Sequence, residues 1–222
     1  MQSAGMTLQL IANLLLTVLS RLIMNLALRC RPFSVAGTLA TVAHMLKAGS
    51  RKVVMEVVED AFSNVTALSA TGELVPNSLG RKLAMKVLQR CALTLLDPLC
   101  MNSIAQNTMR QKRKGAVAHS EGAVEVLALT ETGMSMLPRI IDALLQGLCD
   151  ADTIVRWSAA KGLGRIAARL PSSCVEDVNN AILELFSPLQ SDSGWQGACL
   201  AVAEVARQGL LPMHRLPKVW FA

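Results

Sequence analysis

Tyrosine is absent from this 222-residue chain, and the aromatic residues together supply only 3% of it. A core must therefore be assembled from leucine, valine, alanine, isoleucine and methionine, side chains that pack closely between helices and have favourable helix propensity. The same scarcity removes the stacking platforms on which single-stranded nucleic acid is held, so no nucleic-acid partner is expected. Charge is sparse as well, at 17% against 52% hydrophobic, which excludes a chain too polar to fold. The six cysteines, Cys30, Cys91, Cys100, Cys149, Cys174 and Cys199, contain no Cys-x-x-Cys pair. Most fall among apolar neighbours at helical positions, so buried free thiols in a reducing compartment are expected.

Catalytic and metal-binding patterns are missing too. His44, His119 and His214 are far apart, and there is no HExxH, GxSxG or Walker A sequence and no metal-spaced Cys/His cluster. A binding protein with no catalytic residue, metal or cofactor of its own is the expectation. Gly162-Leu163-Gly164-Arg165-Ile166-Ala167 matches the degenerate G-x-G-x-x-A pattern of dinucleotide folds. That pattern must follow a strand and open a helix, whereas these glycines fall inside a helix begun about eight residues earlier. Close helix packing at Gly162 and Gly164 accounts for them better. Asn64-Val65-Thr66 is a chance glycosylation sequon in a chain with no secretory signal.

No Lys or Arg precedes Arg21, so the apolar run from Leu8 to Leu28 lacks the basic region of a signal peptide. Gln9, Asn13, Thr17, Arg21 and Asn25 recur every four positions and line one side of a helix, a pattern unlike a membrane span. Residues 1–36 are expected to be an apolar helix buried in the fold, with no stable membrane span. An interfacial helix is the alternative.

Every long periodic segment beyond this point follows the helical period, and none shows strand alternation. Val54, Val58, Ala61, Val65 and Leu68 share one face, with Lys52, Glu56, Glu59, Asp60 and Ser63 opposite. A short helix from about Thr38 to Lys47 precedes it, ended by Gly49, and the two are expected to form a hairpin with Ser50 as cap. Pro76-Asn77-Ser78 opens a helix running to Leu96, with Lys82, Lys86 and Gln89 on its polar side. Residues 37–99 thus hold helical repeats. Between 100 and 136 the period fades, and Arg110-Gln111-Lys112-Arg113-Lys114 is a basic run typical of a solvated linker. Residues 137–212 hold two HEAT-like repeats. A helix from Pro138 at its first position carries Leu137, Ile140, Ile141, Leu144, Leu145 and Leu148 inward, and Asp152 or Thr153 caps its partner, which stops before Pro171. Cys174 to Ser187 and Gly194 to Gln208 repeat the pair, and Trp157 finds a counterpart in Trp195. The Leu-Pro steps at 138, 171 and 217 are spaced by 33 and 46 residues, near helical-repeat periods. Residues 213–222 then read as the start of a further, truncated repeat. The architecture expected is an all-α solenoid of antiparallel helix pairs, of the HEAT/armadillo type.

A net charge of +6 suits an acidic partner. Lys161, Arg165 and Arg169, spaced i, i+4 and i+8, make a positive stripe opposite the packing face of Val155, Ala159, Leu163 and Ile166. On a solenoid such a stripe can face the groove that holds a partner; an ordinary solvated face is the plainer account. Asp152 and Arg156 are expected to bond neighbouring repeats together. With Trp157, Gly162, Gly164 and Trp195 they count as structural.

The segment DTIVRWSAAKGLGRIAARL at 152–170, followed by WQGACLAVAEVARQGLLP at 195–212, resembles the tubulin-folding cofactor D family, and VRWSAAKG at 155–162 is highly specific. A weaker likeness covers Gly37-Thr38-Leu39 to Gly49 and Leu79-Gly80-Arg81-Lys82-Leu83 to Pro98, so most of 37–220 is included while the first thirty residues match poorly. The resemblance implies a fragment or short form of a HEAT/armadillo chaperone. It implies binding of β-tubulin, work alongside other tubulin-folding cofactors and an Arf-like small GTPase, and an accessory role in activating GTP hydrolysis by tubulin. A cytoplasmic, cytoskeleton-associated protein would follow. A HEAT adaptor for another acidic protein is the competing reading.

Overall fold

The computed structural model describes residues 32–72, 74–97 and 131–211. The apolar N-terminal run, Cys30, Cys100, the basic run at 110–114 and the Leu216-Pro217 step lie outside them. Seven helices and no strand make up the described residues: α1 (Pro32–Ala48), α2 (Arg51–Ala70), α3 (Ser78–Leu95), α4 (Glu131–Gly147), α5 (Thr153–Ala167), α6 (Ser172–Glu184) and α7 (Asp192–Arg207). None is long and apolar enough to cross a membrane.

Local chemistry sets several helix limits. Asn77 Oδ1 accepts from the Gly80 N–H at 3.0 Å, and Ser191 Oγ accepts from the Gly194 N–H at 3.3 Å, so α3 and α7 start on true side-chain caps. Ser50 and Asp152 occupy the same position before α2 and α5 but make no cap bond. The Asp152 carboxylate is engaged by Arg81 instead. Beyond α7, Gly209 takes a φ of 71°, and the Leu210 N–H returns to the Val205 carbonyl at 3.1 Å, closing the helix as a Schellman turn does.

The helices pack in two layers. α1, α3, α5 and α7 lie side by side in that order, while α2 packs on α3, α4 on α3 and α5, and α6 mainly on α7. The repeating unit is therefore an outer helix followed by its inner partner: α2 with α3, α4 with α5, α6 with α7. This corrects the expected α1–α2 hairpin. Those two helices touch little, because each buries its apolar face on α3, whose Ala84, Val87, Leu88, Cys91, Ala92 and Leu95 are all buried.

A second difference concerns α4, which starts at Glu131 within the expected linker and so places Pro138 inside the helix rather than at its first turn. An interior proline forfeits one backbone bond and costs about 3 kcal/mol. Burial of Met136, Leu137 and Ile140 on the core offsets that cost. The inward faces of α2 and α5 are those the period marks, with Val54, Val58, Ala61, Val65 and Leu68 buried, and Val155, Ala159, Leu163 and Ile166 likewise.

Charged side chains tie one unit to the next. Arg81 of α3 donates to both oxygens of Asp150, at 2.8 and 3.1 Å, and to Asp152 at 2.7 Å, in the turn between α4 and α5. Hydrogen bonding to Asp150 holds the Arg81 guanidinium above its ordinary pKa. Arg156, itself buried, donates to the carbonyls of Asp150 and Ala151, to Thr153 Oγ1 and across to Gln196 Oε1 of α7. Asp152 and Arg156 thus each join neighbouring units, through separate partners rather than to one another's side chains.

Two glycines let helices approach α5, one from the inner layer and one from the outer. A Cβ at Gly164 would stand 3.0 Å from Glu204 Cβ and 3.2 Å from its carbonyl carbon, so α5 and α7 meet there nearly backbone to backbone. Gly162 faces Leu144 at 3.3 Å. The tightest approach belongs to Gly197, where a Cβ would fall 1.9 Å from the Leu148 carbonyl oxygen.

Candidate functional site

Charge is unevenly spread over the helices. Among helical residues, α1 contributes Lys47, α3 contributes Arg81, Lys82, Lys86 and Arg90, and α5 contributes Arg156, Lys161 and Arg165, with no acidic residue on any of the three. Acids occur on the outer helices, Glu56, Glu59 and Asp60 on α2, Asp142 on α4, and Glu176, Asp177 and Glu184 on α6, alongside Arg51, Lys52 and Arg139, and on the inner α7 as Asp192 and Glu204. The open face formed by α1, α3 and α5 is therefore positive.

That face contains a groove of about 740 Å³ bounded by α1, α3, α5 and the C-terminal end of α7. Lys47, Lys82, Lys86, Arg90, Lys161, Arg165 and Arg169 line it, together with Leu46, Gln89, Leu93, Thr94, Trp157, Ser158, Ala168 and Gln208, and no acidic residue does. Among the described residues, none of the seven cations is in an ion pair. Two are anchored by neutral acceptors: Arg90 donates to the Ala43 carbonyl at 2.7 Å, and Arg169 to the Leu93 carbonyl at 2.9 Å.

Crowding of like charge is felt within the groove. Burial lowers the Lys86 pKa from its ordinary value, and repulsion from Arg90, Lys82, Lys47 and Arg165 lowers it further. Arg90 is lowered by burial and by Arg165, and Arg169 by burial and by Arg51. An anion entering the groove would relieve this repulsion. Gln89 sits on the floor, only 4% exposed, and its Nε2 has no hydrogen-bond partner. A buried donor left unmade is costly.

The structure places Lys161, Arg165 and Arg169 together on one wall. Lys82, Lys86 and Arg90 form the other; the sequence puts Lys82 and Lys86 on one polar side with Gln89, but Gln89 is buried and Arg90 takes the third place. Their spacing, again i, i+4 and i+8, was the available signal. Trp157 departs from its expected structural role. It is 48% exposed and lines the groove, because it lies one helical turn before Lys161 on the same face. Lys161 Nζ rests 4.5 Å from its ring centroid. Trp195 is no counterpart: its Nε1 donates to the Ser187 carbonyl at 3.0 Å and its ring packs edge-on to Phe186 at 5.4 Å. The thiols also differ from expectation, since Cys91 is buried but Cys174 and Cys199 are exposed, on helix positions that face away from the core. No group of residues among those described could hold a metal ion.

Stacked outer and inner helices with a charged inner groove define a helical-repeat protein of the armadillo/HEAT class. The family described as tubulin-specific chaperone D-like, ARM repeats, matches residues 79–221, and the chain belongs to it. Tubulin-folding cofactor D of Schizosaccharomyces pombe is 30% identical over 204 residues, covering 82% of this chain and 18% of that protein. Tubulin-specific chaperone D of Dictyostelium discoideum is 29% identical over 206 residues, covering 83% of this chain and 14% of that protein. The chain thus spans less than a fifth of the length of these relatives. No solved structure matches it.

Proposed function

We propose that the chain is a segment of a tubulin-folding chaperone whose basic groove holds an acidic surface of β-tubulin while the tubulin heterodimer is assembled or dismantled. The observation that carries this reading is the groove itself: seven cations with no ion-pair partner among the described residues face one concavity with no acidic residue in its lining. The names of the relatives supply the tubulin. Binding, not chemistry, is the function such a surface serves, since complementary charge speeds encounter and selects partners. On this reading the segment works in the cytoplasm beside the cytoskeleton, with other tubulin-folding cofactors and an Arf-like small GTPase. Its part in GTP hydrolysis by tubulin is accessory, through how it holds the substrate protein. A HEAT adaptor for a different acidic protein is the second reading, favoured by the same groove.

The test is a tubulin pull-down on the full 222-residue chain, repeated with Lys161→Glu, Arg165→Glu and Arg169→Glu combined. Recovery of β-tubulin should fall at least about tenfold in the triple variant and persist when Lys52 on the outer layer is reversed instead. Equal recovery by both variants would return the stripe to ordinary solvated surface. No recovery by the unaltered chain would leave the adaptor reading.

A further inference from the structure

The two walls of the groove are in step. Ser158 Oγ donates to the Lys82 carbonyl at 3.3 Å, and Arg169 donates to the Leu93 carbonyl. Both contacts join residues 76 positions apart, so α3 and α5 run parallel without slipping along the groove. One wall presents a cation every helical turn, Lys82, Lys86 and Arg90 on α3, and the other presents Lys161 and Arg165 on α5 with Arg169 in the turn just beyond it. At 1.5 Å rise per residue the charges in a row are about 6 Å apart, and neighbouring helices stand about 8–10 Å apart. In an extended chain, side chains on one edge repeat about every 6.6 Å, with alternate ones reaching the opposite side. The two spacings nearly coincide.

We infer that the furrow between α3 and α5 is a docking site for an extended, acid-rich peptide segment of a partner, with a large apolar side chain of that segment seated on Trp157. The inference deepens the proposed function and rests on it for the partner, although its chemistry is independent of the name. From the level of Trp157 to the end of α5 is about 15 Å, with Arg169 just beyond, so the furrow offers the reach of about five extended residues. Alternating carboxylates would meet the two rows in turn. Trp157 closes one end as a half-exposed ring already stacked by Lys161, the type of residue that anchors interfaces. A compact polyphosphate would neutralise the cations around Lys86 but could not run the length of the furrow or use Trp157.

Fluorescence anisotropy with a labelled peptide of one phenylalanine followed by six glutamates, added to the full chain, tests the site. Affinity should climb with glutamate number and level off near about five. Lys86→Glu or Arg165→Glu should each weaken binding about tenfold, and circular dichroism should show the fold intact. Trp157→Ala should weaken the phenylalanine-bearing peptide about fivefold while leaving an all-glutamate peptide unchanged, and Lys52→Glu should change neither. Inositol hexakisphosphate is the compact competitor. If it binds more tightly than the peptide and ignores Trp157→Ala, or if neither groove reversal affects the peptide, the inference is overturned. Tubulin retained by the groove without any peptide binding would sink this inference alone. Peptide binding without tubulin recovery would uphold it and remove the tubulin reading.

Discussion

Replacing Gly197 with alanine should loosen the joint between the last two repeats. The added methyl carbon would land 1.9 Å from the Leu148 carbonyl oxygen, 2.7 Å from its carbon and 3.0 Å from its Cα. Since real Cβ atoms essentially never approach closer than 3.0 Å, α7 or the turn after α4 must retreat by about 1.1 Å. All three obstructing atoms are backbone, so no rotamer change relieves the clash. Retreat would open the seam where Ala198, Ala201 and Val205 are wholly buried. Overpacking of well-packed sites costs about 1–3 kcal/mol, and this overlap belongs at or above the upper end. Alanine returns about 1 kcal/mol of helix propensity. The net expectation is a loss of about 2 kcal/mol or more, or roughly 4–8 °C in Tm for a chain of this size. Gly37, in α1, is the internal control: nothing lies within 4 Å of its Cβ position, so Gly37→Ala should stabilise by about 0.5–1 kcal/mol. Urea and thermal unfolding of both variants measure the pair. A Gly197→Ala chain as stable as the parent would refute the close approach.

Lys86→Met should raise stability by about 0.5 kcal/mol near neutral pH while weakening acidic ligands, because the cost of burying this ammonium and the repulsion from its neighbours are present only while it is charged. The folded chain holds the Lys86 proton less tightly than the unfolded chain does. The penalty is therefore complete below the folded pKa and fades as pH rises toward the unfolded value of 10.5. The advantage of the variant should accordingly shrink with rising pH; an advantage that grows would contradict the repulsion. Among the cysteines, burial pushes the Cys91 thiol up to about 12. Alkylation of the native chain, mapped by mass spectrometry, should mark Cys174 and Cys199 first and Cys91 only after unfolding. Equal early labelling of Cys91 would mean that α3 is not enclosed.

The groove also explains where stability is spent in this architecture. Its seven cations repel one another, and Gln89 keeps an unmade bond at its floor. Against these stand the Arg81 fork to Asp150 and Asp152 and the Arg156 cluster reaching α7, both on the turn that leads into α5. The strongest polar ties between units thus lie just beside the least satisfied surface, as expected when a binding site is held open by its scaffold.

The sequence alone determined the properties that depend on neighbours within a few residues. Helical period marked the buried stripes of α2 and α5, Asn77 announced the start of α3, and Gly162 and Gly164 declared themselves as packing residues by falling inside a helix. Long-range assembly was beyond it. Pairing of helices depends on which apolar face finds the best partner, so the expected α1–α2 hairpin gave way to joint packing on α3. Pro138 could sit inside α4 because core burial at Met136 and Leu137 outweighs a lost backbone bond, a balance invisible to local rules. Trp157 and Trp195 look alike in sequence, yet helix phase sends one into the groove and the other into a turn. The stripe at Lys161, Arg165 and Arg169 was legible from its spacing. Only the tertiary structure brought Lys47, Lys82, Lys86 and Arg90 to face it, because a concave surface is a property of neighbouring helices and not of any one of them.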